Sequence, residues 1–402
     1  MGSRAPQPTA LEAAVETVFG LEPEQIPLEL GAGLDPLEAL QQVVRPALER
    51  PPCVVSFSGG RDSSCVLAAA TRAARREGLE LPIPVSLRFP DAPRAEESSW
   101  QELVVGHLGL DEWERLTVED GDVIGSSSTE VLRRHGLLYP ANWFLTASVL
   151  KPATRGGSLL TGLGGDQLFG GWRWRSLADP LAGRRRPEPY DLLRFAYVSL
   201  PSSLRVARER RRVAPYMPDW LRPSVHDEVL ALVGQRAASE PAWWRNRVRW
   251  GARRRDLSAS RATIEVLADD AGALAVAPLI DPVFVAALAR AGGQLGHGDR
   301  TATMLASFGG ALPDRLLRRT SKATGEEVFW AGNSRRFAKR WDGSGVDPEI
   351  VDPEALRRQW LAPEPDGRSA LLLQAAWLHS LHRDDPAAHA DAALPGPEST
   401  RP

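Results

Sequence analysis

Cysteine is nearly missing from this 402-residue chain: Cys53 and Cys65 are the only two. A disulfide framework and a cysteine-rich zinc site are thereby excluded. Lysine is almost as scarce. Of 49 basic residues only Lys151, Lys322 and Lys339 are lysine, and the rest are arginine. No apolar run approaches the ~18 residues of a membrane-crossing helix, and the N-terminus lacks a charged-then-apolar signal layout. A net charge of −2 leaves no basic field for nucleic acid or an anionic membrane. The expectation is a soluble, cytoplasmic protein with neither membrane nor nucleic acid as partner. What is present is ordinary for a globular chain: 43% hydrophobic and 25% charged residues, too much apolar material for wholesale disorder. The length favours two packed units or one large one.

A short helical pattern from Leu11 to Phe19 lies among turns in residues 1–34, read as an N-terminal extension. A helix is predicted from Pro36 to Glu49, with Leu37, Leu40, Val43, Val44 and Leu48 on one face and Pro51-Pro52 as its stop. Cys53 to Phe57 is a short apolar run between breakers, a buried parallel strand. An alanine-rich helix from Ser64 to about Arg76 follows. Further strands are read at Pro84 to Phe89, Trp113 to Val118 and Ser158 to Gly162, with helices at Glu96 to Leu108, Thr129 to His135 and Trp143 to Ala153 between them. The alternation implies an α/β fold with a doubly wound parallel sheet over residues 35–180. Residues 181–383 read as a helical part completing the site, including Asp281 to Ala291 and Thr301 to Phe308. Residues 384–402 read as a disordered tail.

Two loops carry the chemistry. Ser58-Gly59-Gly60-Arg61-Asp62-Ser63 lies between a strand and a helix, where free backbone N–H groups and the helix dipole converge on an anion. Ser58 and Ser63 add hydroxyl donors. Asp62 alone would repel phosphate, but it makes sense as a ligand of a Mg²⁺ that bridges to phosphates. Neither the Gly-x-x-x-x-Gly-Lys nor the Gly-x-Gly-x-x-Gly pattern is present. On its own the segment also reads as a tight β–α turn that uses glycines. Gly162-Leu163-Gly164-Gly165-Asp166-Gln167-Leu168-Phe169-Gly170-Gly171 follows the fourth strand and again sets one acid among glycines. Taken alone, it is a helix start capped by Asp166. Together, Asp62 and Asp166 could share one metal ion facing a triphosphate.

The pair of loops resembles the synthetase domain of asparagine synthetases and their relatives, the β-lactam synthetases and lasso peptide cyclases. Two later segments continue the resemblance in register over residues 36–340. Pro278-Leu279-Ile280-Asp281-Pro282 is similar to the family's Pro-Phe-Leu-Asp, and Leu312-Pro313 through Arg319-Thr320-Ser321-Lys322 to its Leu-Pro-x-x-(Ile/Leu)-x-x-Arg-x-Lys. The resemblance implies a fold of the PP-loop ATP pyrophosphatase (adenine nucleotide alpha hydrolase-like) type. It implies ATP and Mg²⁺ as cofactors, adenylation of a carboxylate with release of pyrophosphate, and displacement of AMP by an amine. By the same resemblance Ser58, Gly59, Gly60, Asp62, Ser63 and Ser64, with Gly164 and Gly165, hold the nucleotide. Asp62 and Asp166 are the metal ligands, and Val85 to Phe89, notably Val85 and Leu87, meet the adenine. Lys322 is the catalytic lysine that stabilises charge at the reacting centre; read alone, it is an ordinary surface lysine.

The departures narrow the substrate. Asparagine-forming members carry Glu, and β-lactam synthetases Tyr, where this chain has Leu163. Leucine can neither take a proton nor hydrogen-bond an amine. Gln167 replaces another usual Glu. Tyr139 and His135 are weak alternatives for a general base. The glutaminase domain of the glutamine-dependent members, with its N-terminal cysteine, is not seen in a chain starting Met1-Gly2-Ser3-Arg4. The amine is then expected from the substrate itself, a second molecule or free ammonia. The expectation is an ATP-dependent amide ligase, foremost a macrolactam-forming peptide cyclase, with a partner protein delivering the peptide as a further expectation. An ammonia-dependent asparagine synthetase, a tRNA-modifying enzyme and a non-catalytic relative are the alternatives. Residues 201–260, rich in Arg and Trp, read as a helical subdomain with tryptophan in its core and solvated arginines, in preference to a peptide groove.

The scarcity of lysine generates a test. Where arginine is the default cation, a lysine at this motif position points to a need for a compact ammonium. Lys322→Arg should be nearly as damaging as Lys322→Ala, since a misplacement of ~1 Å can cost about 100-fold in rate. Product formation measured beside ATP affinity checks this. A Lys322→Arg protein that keeps most of its rate would show that the lysine is only a positive charge, or not in the site.

Overall fold

The structure is a computed structural model that describes residues 5–90, 92, 95, 97–153, 156–321 and 329–384. Five strands, β1 (Cys53–Ser56), β2 (Ile83–Arg88), β3 (Glu114–Thr117), β4 (Ser158–Leu160) and β5 (Leu274–Val276), form one sheet in the order β3-β2-β1-β4-β5. Every pairing is parallel, with Val54 opposite Ile83 on one side and Leu159 on the other. Alternation along the strands splits the apolar side chains between two cores. Val54, Val85 and Leu159 face one. Cys53, Val55, Phe57 and Leu160 face the other. Both thiols are free and buried, and burial pushes Cys53 up to about 11.

Helices cover both faces, as a parallel sheet requires. On the Val55 side lie Pro36–Leu48, Arg61–Glu77, Ser98–Leu108 and Pro282–Ala291, packing through Leu40, Val44, Leu67, Val104 and Phe284. On the Val54 side lie Phe144–Ala153, Arg255–Asp270 and Ala370–Asp384, packing through Phe144, Val266 and Leu373. The Pro36–Leu48 helix shows why its sequence stops and starts where it does. Asp35 and Glu38 form a reciprocal capping box and Pro36 takes the first helical position, which needs no N–H. The chain is thus α/β with a doubly wound parallel sheet and a largely helical second half.

Four sequence readings change. The strand Leu274–Val276 was not expected; it is three residues long, half-buried and set in an alanine-rich run without a strand signature. The alanine-rich helix starts at Arg61 rather than Ser64, which places Asp62 in its first turn. The first helix spans only Ala10–Val15, because Glu16 adopts a left-handed conformation at φ 46°. In the Arg/Trp segment Trp220 and Trp244 are buried but Trp243 is exposed, and Arg247 is buried rather than solvated.

Strand order places the site. The chain runs outward from β1 through β2 to β3, then returns to the other side of β1 for β4. The segments leaving β1 and β4 therefore diverge at the carboxyl edge, the crevice where open α/β sheets bind ligands. Those two segments are the two glycine-rich loops.

Candidate active site

The first loop is braced from within. Gly60 precedes the Arg61–Glu77 helix without any side-chain cap, so the N–H groups of the first turn keep their capacity for an anion. The Ser58 hydroxyl accepts from the Gly60 N–H at 3.2 Å and lies 3.2 Å from the Ser63 hydroxyl. Gly59 sits at φ 82°, a conformation that favours glycine, and its neighbourhood is crowded by Gln101. Gln101 donates to the Ser58 carbonyl at 3.2 Å, and Arg319 donates to the Gly59 carbonyl at 3.3 Å. Arg319 is itself buried, paired with Glu97 and set over the Trp100 ring. Ser64 donates to the Gly60 carbonyl at 2.8 Å, a contact inside the helix, and is fully buried.

The second loop nests against the first. A Cβ placed on Gly165 would stand 2.1 Å from Asp62 Cγ, so only glycine allows this approach. Gly164 lies against Ile280, which belongs to the Pro278–Pro282 segment; Asp281 of that segment caps the Pro282–Ala291 helix by accepting from the Val283 N–H at 2.8 Å. Asp166 is in the first turn of the short Gly165–Phe169 helix. Buried Arg247 donates to the carbonyls of Gln167 and Leu168 at 2.6 Å each, and to that of Gly170 at 3.3 Å. It thereby satisfies the terminal carbonyls of that helix.

The two acids meet at one cation. Arg300, in the first turn of the Arg300–Phe308 helix, donates through Nη2 to both Asp62 oxygens at 2.7 Å and through Nη1 to Asp166 Oδ1 at 2.6 Å. The Asp62 side chain is 19% exposed and that of Asp166 50%. Burial pushes the Asp62 carboxyl up, with the Arg300 guanidinium opposing it. Among the described residues no cluster of three or more His, Cys, Asp or Glu could hold a metal. A pair of carboxylates nevertheless suits Mg²⁺, which binds through one or two carboxylates plus phosphate oxygens and water. Both carboxylates converge on one guanidinium, Asp62 through Nη2 and Asp166 through Nη1, so the pair faces a common positive charge.

The other expected site residues distribute unevenly. Val85 is buried in the sheet and its carbonyl accepts the Phe57 N–H at 2.8 Å, whereas Leu87, nearer the carboxyl edge, is half-buried. Lys322 lies outside the described residues, as does the tail beyond residue 384. Tyr139 is buried, and desolvation together with the nearby Asp256 and Glu16 pushes its phenol far up, which disfavours it as a base. His135 pairs with Asp270 at 2.6 Å. Leu163 and Gln167 do meet something: they line a cavity of about 910 Å³ walled also by Tyr139, Asp256, Glu364 and Arg368. Sequence reading missed Arg300, Arg319, Arg247 and Gln101. Only Arg319 stood in a quoted motif, and in a chain this rich in arginine the other two arginines carry no contrast.

A doubly wound sheet with this pair of loops at its switch point is that of the PP-loop ATP pyrophosphatase type. The model of the asparagine synthase family matches residues 37–381, and the chain belongs to that family. The match runs past the last quoted motif into the helices that close the core. No curated protein matches the chain. Membership supports an ATP-dependent amide-bond-forming ligase at the level of the family. No helix among the described residues is long and apolar enough to cross a membrane.

The nesting of the loops predicts a steric variant. Gly165→Ala should push Asp62 out of position and lower ATP–pyrophosphate exchange by about 100-fold, the equivalent of roughly 3 kcal/mol, with the fold retained by circular dichroism. Exchange within twofold of the parent would show that the approach of the two loops is not needed.

Proposed function

We propose that the protein adenylates a carboxylate with ATP and passes the acyl group to an amine. The reading rests on one observation above all: Asp62 and Asp166, on nested loops at the sheet's switch point, converge on a single cation beside the uncapped start of a long helix. A carboxylate oxygen would attack the α-phosphorus, and the bond to the β-phosphate would break, releasing pyrophosphate. The amine nitrogen would then attack the acyl carbon, the bond to AMP would break, and the amine would lose a proton. Asp62 and Asp166 would hold the Mg²⁺, which when bound neutralises charge on the phosphates. The Ser58–Ser63 loop would cradle the departing pyrophosphate, and Lys322 would carry positive charge to the acyl centre.

The acyl and amine groups fit the cavity beside the second loop. Its volume of about 910 Å³ lies near the upper end for sites that take drug-sized molecules, generous for one free amino acid. Leu163 gives it an apolar patch where a polar amine-binding residue would otherwise sit. These features favour a macrolactam-forming peptide cyclase or a similar natural-product enzyme, with the amine supplied by the substrate or by a second molecule. A protein that presents the peptide belongs to this reading, as does a cytoplasmic setting where ATP is abundant.

The products should be AMP and pyrophosphate in equal amounts, formed only when a suitable carboxylate is present. An ATP–pyrophosphate exchange screen across peptides and amino acids, followed by product chromatography, measures this. Stoichiometric ADP would refute the proposed chemistry.

A further inference from the structure

Arg300 belongs to neither loop and to no quoted motif, yet it makes the most concentrated set of ionic contacts at the candidate site. Its side chain is 22% exposed. One terminal nitrogen reaches both oxygens of Asp62, and the other reaches Asp166. Its Nε is buried without a hydrogen-bond partner. The guanidinium is thus wholly committed to the two carboxylates, at the cost of one unsatisfied donor. Its neighbour Arg61 adds positive charge near both acids but hydrogen-bonds elsewhere, to the Thr301 hydroxyl and the Leu317 carbonyl, each at 3.3 Å.

A divalent ion held by Asp62 and Asp166 would compete with Arg300, which already reaches both oxygens of Asp62 and Oδ1 of Asp166. Two cations drawn to the same carboxylates also repel each other, so the guanidinium weakens the site for a free ion even where lone pairs remain. The helix carrying Arg300 is held at its start by Asp299, whose carboxylate accepts the Ala302 N–H at 2.8 Å, so the backbone is fixed and only the side chain has freedom. A side chain that turned from the acids would still be anchored beside the Ser58–Ser63 loop, where a triphosphate offers anionic oxygens for its fork.

We propose that Arg300 is the resident counter-ion of the two-acid site. It closes the site to free divalent ions and transfers its hydrogen bonds to the phosphates when a metal–nucleotide complex arrives. This rests on the adenylating reading given above. The consequence is obligatory coupling: the metal should bind poorly without nucleotide, because only the nucleotide provides a new partner for the displaced guanidinium. Without Arg300, the bare carboxylates should attract a free ion more strongly, and metal-free ATP should be repelled.

The probe is Mn²⁺, followed by electron paramagnetic resonance, with ATP affinity measured by calorimetry in EDTA and in Mn²⁺. Arg300→Gln should bind Mn²⁺ alone roughly tenfold more tightly than the parent chain, the equivalent of one charged hydrogen bond removed from competition. It should bind ATP in EDTA more weakly. Arg300→Lys keeps the charge but cannot fork across both acids, so its Mn²⁺ affinity should fall between the two; it also serves if the glutamine variant does not fold. Unchanged Mn²⁺ affinity in either folded variant, with the parent still binding Mn²⁺–ATP, would overturn the counter-ion role alone. Failure of the parent to bind Mn²⁺ even with ATP would overturn both this role and the metal assignment beneath it.

Discussion

Two carboxylates that share one small volume repel each other, and the molecule's architecture depends on how that repulsion is held. Asp62 and Asp166 are brought together by a sheet order that makes β1 and β4 neighbours, and by a glycine at 165 that lets one loop lean on the other. Arg300 supplies the compensating charge. Asp62 is the partner that matters more. Breaking a buried ion pair costs about 3–5 kcal/mol, and Asp62 is mostly enclosed, whereas Asp166 is half exposed and water screens it. The local structure is therefore organised around a concentration of negative charge that a cation must answer.

The supporting shell comes from far along the chain. Arg319 and Gln101 hold the first loop by its carbonyls, Arg247 closes the end of the short helix in the second, and Ile280 sits against its glycine. Arg319, Arg247 and Ile280 explain why the helical second half matters to a site whose loops lie in the first. Buried arginines serve here as multidentate caps for backbone carbonyls, a use suited to a planar cation with five donors.

Much of this was legible in the residues. Strands such as Cys53–Ser56 and Ser158–Leu160 announce themselves as short apolar runs between breakers, and the acid in each glycine-rich loop follows directly. What was not legible had physical reasons. Leu274–Val276 is too short and too rich in alanine to show a strand period. The helix starting at Arg61 begins before its apolar pattern does, because its first turn is polar: Arg61, Asp62, Ser63 and Ser64 precede the first apolar residue, and the two serines are buried. Arg300 was invisible because a chain of arginines offers no contrast, the same circumstance that made Lys322 conspicuous. The cavity beside Leu163 could not be foreseen at all, since its wall draws on residues from position 16 to position 370.

The separation of the partners bears on how the protein is made. Asp62 and Arg300 are 238 residues apart, and Arg319 lies 260 residues from the glycine carbonyl it holds. Loops that long close late, and contacts of such high sequence separation form only after the local elements exist. A chain still emerging from the ribosome presents β1 and its loop long before the arginines that brace them. The charge balance of the two-acid site is thus completed only once Arg300 has been made, 238 residues after Asp62, and its helix has packed back onto the sheet.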